Sequence, residues 1–321
     1  MTSLLVTGAN GFVGRALCAS LKHRDYTVKA ATRSVSAQTA LNEGVVPVVI
    51  GDINAETDWQ AALTGVDVVI HLAARVHVMR ETADDVLQAF QSVNTAGTEN
   101  LARQAATIGV KRFIFLSTIK VLGENTLRGE FNKDTPVIAP KDAYALSKWQ
   151  AEQLLQEISA TTGMQVVVIR PPLVYGAGVK GNFLRLLQLI KHGWPLPFAN
   201  ISNKRSLVYV ENLCDLLGVC IVHPDAAGEI LLCADTEDFS TPALIRQLAN
   251  ALDVPVRLYP IPLSALKTVA GWVNKSAEVA RLCDSLQVDA TQTQLLLDWQ
   301  PPFTATQGLA KTVASFLTLP G

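Results

Sequence analysis

Val6-Thr7-Gly8-Ala9-Asn10-Gly11-Phe12-Val13-Gly14 sets three glycines between the apolar run Leu4-Leu5-Val6 and the helical pattern Arg15-Ala16-Leu17-Cys18-Ala19-Ser20-Leu21. A strand, a glycine turn and a helix N-terminus in that order present backbone N–H groups and the positive end of a helix dipole to an anion such as a diphosphate. Gly8 supplies a positive φ for the turn, Gly11 lets the backbone close on a pyrophosphate, and Gly14 lets the helix lie against the strand. The spacing is G-x-x-G-x-x-G rather than G-x-G-x-x-G, so the motif gains its meaning from its surroundings.

Outward from this turn, short β-branched runs alternate with helical stretches. Residues 26–32, 45–50, 66–72, 112–117 and 165–170 read as strands, uniformly apolar and separated by helices. That alternation predicts an α/β fold, a doubly wound parallel sheet with helices on both faces. After Arg170 the pattern breaks into Pro171-Pro172, Gly176, Gly178, Gly181 and Trp194-Pro195-Leu196-Pro197. The expected division is a dinucleotide-binding domain over 1–170 and a smaller, irregular α/β substrate domain over 171–321, with about 206–235 returning to the first domain.

With 27 Lys+Arg against 28 Asp+Glu over 321 residues, the overall charge balance points neither to nucleic acid nor to an anionic membrane as a partner. No leader-like segment or spanning helix is evident, so a cytoplasmic protein without membrane insertion is expected. Cys18, Cys214, Cys220, Cys233 and Cys283 are scattered and never in C-x-x-C spacing, which predicts buried free thiols and no metal site.

Where a dinucleotide fold places an acidic residue to grip the adenosine ribose, the second strand ends Ala30-Ala31-Thr32-Arg33-Ser34, with no carboxylate between Asp25 and Glu43. Arg33 is suited to a 2′-phosphate, which favours NADP(H), with NAD(H) possible; as a lone arginine it also reads as a solvated loop residue. Asp52 in Gly51-Asp52-Ile53 either meets an adenine or caps the following helix. His71-Leu72-Ala73-Ala74 closes the fourth strand with small residues that let a ribose approach, and His71 itself reads as a packed structural histidine.

Tyr144-Ala145-Leu146-Ser147-Lys148 puts a phenol and an ammonium four residues apart on one helix face. A phenol works as an acid or base near neutral pH only if a cation stabilises its anion, the expected role of Lys148. Ser117 and Thr118 end the fifth strand at the carboxyl edge, where a hydroxyl can share a substrate oxygen with Tyr144.

Together with Val93-Asn94-Thr95-Ala96-Gly97-Thr98, these motifs resemble the extended short-chain dehydrogenase/reductase family over essentially the whole chain. The resemblance implies a Rossmann fold with Thr118, Tyr144 and Lys148 as the catalytic triad. It also implies a cofactor site that includes Gly8, Asn10, Gly11, Phe12, Val13, Gly14, Arg33, Asp52, Ile53, Leu72, Ala73, Ala74, Asn94, Ser117, Tyr144, Lys148 and Pro171, with Lys148 on the cofactor ribose. Within the family, Arg170-Pro171-Pro172-Leu173-Val174-Tyr175-Gly176, Gly181-Asn182-Phe183 and Asn203-Lys204-Arg205-Ser206-Leu207 look like the nucleotide-sugar branch. That likeness implies a UDP-linked sugar substrate bound by Asn182 and Arg205, with Arg281 as a second diphosphate ligand or else a surface salt bridge. It also implies a homodimer paired through the helical stretches 82–106 and 144–158.

Leu122 stands where epimerases of the branch have a tyrosine, and their asparagine is missing around 171–173. The stretches Thr118-Ile119-Lys120-Val121, Pro171–Gly176 and Gly178–Phe183 resemble the UDP-N-acetylquinovosamine-type 4-ketoreductases of bacterial O-antigen synthesis, and that resemblance implies NAD(P)H-dependent reduction of a UDP-4-keto-6-deoxy-N-acetylhexosamine. A UDP-hexose 4-epimerase with tightly bound NAD is the alternative. Arg205 argues against a reductase of hydrophobic ketones, and the intact Tyr144 and Lys148 argue against a non-catalytic dinucleotide sensor.

Overall fold

A computed structural model describes residues 1–22, 24–34, 36, 41, 44–76, 83–126, 129–272 and 276–318. Glu43 and residue 82, the expected start of one dimer-pairing stretch, lie outside the described residues. Seven strands, β1 (Thr2–Thr7), β2 (Tyr26–Thr32), β3 (Val46–Val49), β4 (Val68–His71), β5 (Arg112–Leu116), β6 (Gln165–Arg170) and β9 (Ile230–Leu232), form one parallel sheet in the order β3-β2-β1-β4-β5-β6-β9. Among the described residues two further strands, β7 (Leu173–Tyr175) and β8 (Leu207–Tyr209), pair in parallel as a second small sheet. The doubly wound parallel sheet expected from the sequence is the fold observed.

Alternation along each central strand explains the double winding. Leu4, Val6, Val68, Ile70, Ile114, Val167 and Ile169 enter one apolar layer, whereas their neighbours Leu5, Val69, Phe113, Phe115, Val166 and Val168 enter the opposite one. Successive side chains of a strand face opposite sides, so runs apolar at every position require cover on both. The first layer is covered by α1 (Phe12–Leu21); the second by α2 (Gln60–Leu63), α4 (Gly97–Ile108) and α5 (Ala143–Thr162), with α3 (Ala83–Phe90) leading into α4 through a π-helical turn, Gln91–Ala96. Each fully buried Leu, Ile or Val contributes about 1.5–3 kcal/mol. Pro47 is accommodated on the edge strand β3, where a missing N–H costs least.

Beyond residue 170, α6 (Gly181–Lys191) precedes β8, and α7 (Val210–Val222) packs on α1 while β9 joins the sheet beside β6. The helices α8 (Thr241–Ala251), α9 (Leu263–Trp272), α10 (Ser276–Cys283), α11 (Thr291–Leu297) and α12 (Ala305–Leu317) complete the chain. Tyr175 and Asp235 tie the two sheets together. The Tyr175 hydroxyl donates to Asp235 Oδ2 at 2.7 Å, and the same carboxylate accepts from the Tyr209 N–H and from Asn212 Nδ2. All five cysteines are free and buried, and burial pushes each thiol pKa up. Among the described residues no helix is long and apolar enough to cross a membrane.

Candidate active site

The strand order reverses between β1 and β4, and ligands of open α/β sheets bind outside the carboxyl ends at such a point. Thr7 and His71, paired in register, end these two strands. Gly8 follows with φ +67°, and a Cβ there would come within 2.8 Å of the Ala73 nitrogen. A Cβ on Gly14 would lie 2.1 Å from the Gly8 carbonyl oxygen, so only glycine lets α1 start this close to the turn. The Gly11 N–H donates to that same oxygen at 2.9 Å, and no side chain caps α1 at Gly11. The helix N-terminus, flanked by Asn10, Phe12 and Val13, is thus left to backbone donors, the arrangement a pyrophosphate requires.

Behind this cradle runs a directional chain of hydrogen bonds. Thr98 donates its single hydroxyl proton to the Asn94 carbonyl at 2.7 Å, so it accepts from His71 Nε2–H at 2.9 Å. His71 Nδ1 then accepts from the Thr7 hydroxyl at 2.7 Å, and Thr7 Oγ1 accepts from the Ala73 N–H at 3.2 Å. Burial, with the Lys148 charge adding to it, holds the His71 pKa down to about 3, so the ring is neutral and its tautomer fixed. His71 is the structural histidine expected from sequence.

Asn94 sits in the π-helical turn, buried. Its side chain accepts from the Arg75 N–H at 2.8 Å and donates to the Arg75 carbonyl at 3.1 Å and to Ser147 Oγ at 3.0 Å. It therefore clamps the loop after β4, which carries Leu72, Ala73 and Ala74, onto α5. Single-turn π bulges recur at functional sites because they re-aim one side chain.

Asp142 caps α5, accepting from the Ala145 N–H at 2.8 Å. Tyr144, Lys148 and Glu152 follow at four-residue spacing and line one stripe of the helix. Tyr144 lies edge-on to Phe90, 5.9 Å between centroids, and its pKa is pushed up to about 12 by burial and by the Asp142 carboxylate. Lys148 is fully buried, with Nζ 3.8 Å above the Phe115 ring; burial pulls its pKa down to about 7, against the pull of Glu152, which raises it. Burial and Asp142 thus hold the phenol in its protonated form near neutral pH.

Thr118 opens the 3₁₀ turn Ile119–Val121, which packs on α5. Its hydroxyl oxygen accepts from the Lys120 N–H at 3.3 Å, leaving the proton for a ligand oxygen. The Pro171 carbonyl accepts from the Ile119 N–H at 2.9 Å and fixes the turn from behind. Ser117 is buried beside this turn and is tied to α5 by its hydroxyl. Its hydroxyl donates to Glu152, and the same carboxylate takes two bonds from Arg170, 3.1 Å from Nε and 2.6 Å from Nη2, in a pair shielded from water.

Glu152 and Arg170 were not singled out in the sequence as functional. The signal was present, since extending the Tyr144–Lys148 spacing by one turn reaches Glu152.

At the adenosine end, Arg33 Nε and Asp52 Oδ1 meet at 2.9 Å, both exposed, so Arg33 already has a carboxylate beside it. Ile53 lies against Gly97, where a Cβ would fall 2.6 Å from Ile53 Cγ2. On the substrate side, Arg205 is held between Phe239 and Leu286 by backbone pairing, and its Nη1 donates to the Asp284 carbonyl at 3.0 Å. Burial lowers its pKa, and Arg281 is close enough to lower it further. Arg281 lies 3.9 Å from Glu124, which also pairs with Lys120 at 2.9 Å. Asn182 is exposed on the first turn of α6, apart from these cations in sequence.

The profile of the NAD dependent epimerase/dehydratase family matches residues 4–234. The chain is 46% identical over 317 residues to a UDP-glucose 4-epimerase of Vibrio cholerae, covering 98% of this chain and 95% of that one. It is 29% identical to the N-acetyl-alpha-D-glucosaminyl-diphospho-ditrans,octacis-undecaprenol 4-epimerase of Escherichia coli O157:H7, covering 97% of this chain and 94% of the other. A UDP-glucuronic acid 4-epimerase from Bacillus cereus, solved with UDP-glucuronic acid and NAD, superposes with a TM-score of 0.80 at 22% identity, covering 99% of this chain and 100% of that one.

The near full-length similarity to a 4-epimerase overturns the expectation of a 4-ketoreductase, and with it the special likeness to quinovosamine-type enzymes. The physical reason is that one triad serves both reactions, so its presence does not separate them. Leu122, taken as evidence against an epimerase, packs against the apolar cluster of Ile119, Leu286 and Val288. By its profile match and its motifs, the chain belongs to the NAD-dependent epimerase/dehydratase family, in the extended short-chain dehydrogenase/reductase branch.

Proposed function

We propose that this protein is a UDP-sugar 4-epimerase that keeps NAD bound through its cycle. The observation that carries this reading is the stripe of Tyr144, Lys148 and Glu152 beside the Thr118 turn, in a chain so similar to a UDP-glucose 4-epimerase. The glycine turn and the uncapped start of α1 fit a dinucleotide diphosphate, with Asp52, Ile53, Leu72, Ala73, Ala74 and Asn94 around it. Bound there, NAD supplies a reversible hydride acceptor for C4 of the sugar. The Arg33–Asp52 pair favours NAD over NADP, because a 2′-phosphate would have to displace or sit beside the Asp52 carboxylate.

Tyr144 takes the proton from the 4-hydroxyl as the C4 hydride leaves, and returns it to the same oxygen when the hydride comes back to the opposite face. Thr118 donates to that oxygen in both directions. Lys148, when protonated, supplies the positive charge that offsets the raised phenol pKa. Arg205, with Arg281 beside it, holds the diphosphate at a fixed point while the sugar turns, and Asn182 is assigned to the sugar side.

The test is incubation of purified protein with UDP-glucose and with UDP-N-acetylglucosamine, without added nicotinamide, followed by proton NMR of the anomeric signals. Conversion to an equilibrium mixture of 4-epimers is expected, with Tyr144→Phe at least a hundredfold slower. A strict need for stoichiometric reduced nicotinamide would refute the reading.

A further inference from the structure

Asn203 and Arg205 lie on a segment that is paired along both edges. On one edge the Arg205 N–H donates to the Phe239 carbonyl at 2.9 Å, and the Phe239 N–H returns to the Arg205 carbonyl at 3.0 Å. On the other, the Leu286 N–H donates to the Lys204 carbonyl at 2.9 Å and the Ser206 N–H to the Leu286 carbonyl at 2.8 Å. Alternate side chains of an extended segment leave it on the same side. Those of Asn203 and Arg205 both reach the Asp284 carbonyl, from Nδ2 at 3.1 Å and from Nη1 at 3.0 Å.

The buried Asn203 amide also joins two helices. Its Oδ1 accepts from the Thr241 N–H at 2.8 Å, at the start of α8, which fixes the orientation of the amide. Nδ2 then shares its two protons among the Asp284 carbonyl, the Leu282 carbonyl at 3.1 Å and Thr241 Oγ1 at 3.2 Å. The Thr241 hydroxyl donates in turn to the Leu282 carbonyl. Leu282 belongs to the last turn of α10, where carbonyls have no partner inside the helix. Asn203 and Thr241 therefore close the end of α10, and Arg281 is the residue immediately before the one they hold.

The two guanidinium groups repel each other. Arg281 is close enough to Arg205 to lower its pKa, with the Asp284 charge working in the opposite direction. The contact of Arg281 with Glu124, at 3.9 Å between half-exposed groups, is too loose to fix its place. Cations kept together before an anion arrives leave less ordering to be done at the binding step.

We infer that Asn203 is a positioning residue for the diphosphate site: by closing α10 and sharing the Asp284 carbonyl with Arg205, it holds Arg205 and Arg281 together as one anion-binding unit ahead of the ligand. Its own amide is fully occupied by protein groups and touches no ligand. The inference rests on the diphosphate role given above to the two arginines.

Calorimetry with UDP and, separately, with NAD tests this. Asn203→Ala should weaken UDP binding roughly tenfold or more and change NAD binding by no more than about twofold. In an Arg205→Ala background the same substitution should weaken UDP binding by less than about threefold, because the pair it organises is already broken. Equal UDP affinity in wild type and Asn203→Ala would overturn the inference. So would a loss of the same size in both backgrounds, which would make Asn203 a structural residue alone. If Asn203→Ala loses NAD binding as well, its fold has failed and Thr241→Val carries the test, since it removes one hydroxyl from the junction and leaves the amide in place. That variant should bind UDP roughly threefold more weakly, and wild-type affinity would overturn the inference. UDP binding that responds as expected, in a protein that does not interconvert UDP-sugars, would refute the epimerase reading and leave the inference standing. A wild type that binds no UDP would overturn the inference together with the diphosphate anchor.

Discussion

Glutamine at position 152 would remove one charge and leave the shape almost unchanged. In the native site Glu152 compensates the buried Arg170 and raises the pKa of Lys148 one turn away. Taking one partner from a buried ion pair costs about 3–5 kcal/mol, and because glutamine retains one acceptor the lower figure applies, about 3 kcal/mol. At roughly 2–4 °C per kcal/mol this lowers Tm by about 6–12 °C.

The catalytic effect is separable from that loss. Two charges on neighbouring turns, about 6 Å apart at an effective dielectric near 20, interact by roughly 3 kcal/mol, or about two pKa units. Arg170 partly screens Glu152, so a drop of roughly one unit in Lys148 is expected. From a starting value of about 7, the protonated fraction at neutral pH falls from about one half to about one tenth. The assay is the pH profile of epimerisation, measured well below the variant's Tm. Turnover of Glu152→Gln should be about fivefold lower at pH 7 and recover toward pH 6. A profile superimposable on wild type would refute the electrostatic role and leave Glu152 a purely structural partner of Arg170.

Lys148→Met should raise stability at pH 7 by an amount on the order of 4 kcal/mol, because the buried ammonium has its pKa depressed to about 7. Between that value and its unfolded pKa the folded state binds fewer protons than the unfolded one. Wild-type stability therefore rises with pH, and the advantage of the variant should fade toward pH 10 in denaturant titrations. A difference constant across that window would contradict the buried charge. Arg205→Ala should weaken UDP binding in calorimetry by roughly 1.5–3 kcal/mol while leaving NAD binding nearly untouched; equal UDP binding to both proteins would remove Arg205 from the diphosphate site. Light scattering at micromolar concentration should give twice the monomer mass, through the faces of α3, the π-helical turn and α5, and a monomer mass would exclude that pairing.

Much of this was legible because the strands are apolar at every position. Leu4-Leu5-Val6 has no polar face, which requires two layers of helices, and the glycine spacing then locates the switch point. Tyr144 and Lys148 were legible for the same reason, since helical spacing alone puts them together. The Arg33–Asp52 pair was not, because it joins the ends of two strands nineteen residues apart, and Asp52 was read as an adenine contact or a helix cap rather than as a partner of Arg33. Epimerase and reductase were inseparable at the triad, where the same proton transfer serves both. Leu122 misled because a packing position was read as a chemical one.

The helical run from residue 83 to 108 has a further consequence for how this protein can change. Its π-helical turn, Gln91–Ala96, holds one residue more than α-helical winding would. Deleting one residue between Phe90 and Gly97 would let the turn close to ordinary α-helical winding, with the helices on either side kept near their present phase, because the wide turn absorbs the extra residue locally. Thr98 and Leu101 would keep their places against His71 and in the core, whereas Asn94, carried by the turn itself, would lose its aim at Arg75 and Ser147. The extra residue thus serves the site and not the fold: its loss would release the loop after β4 and leave the packing of α4 on the sheet standing.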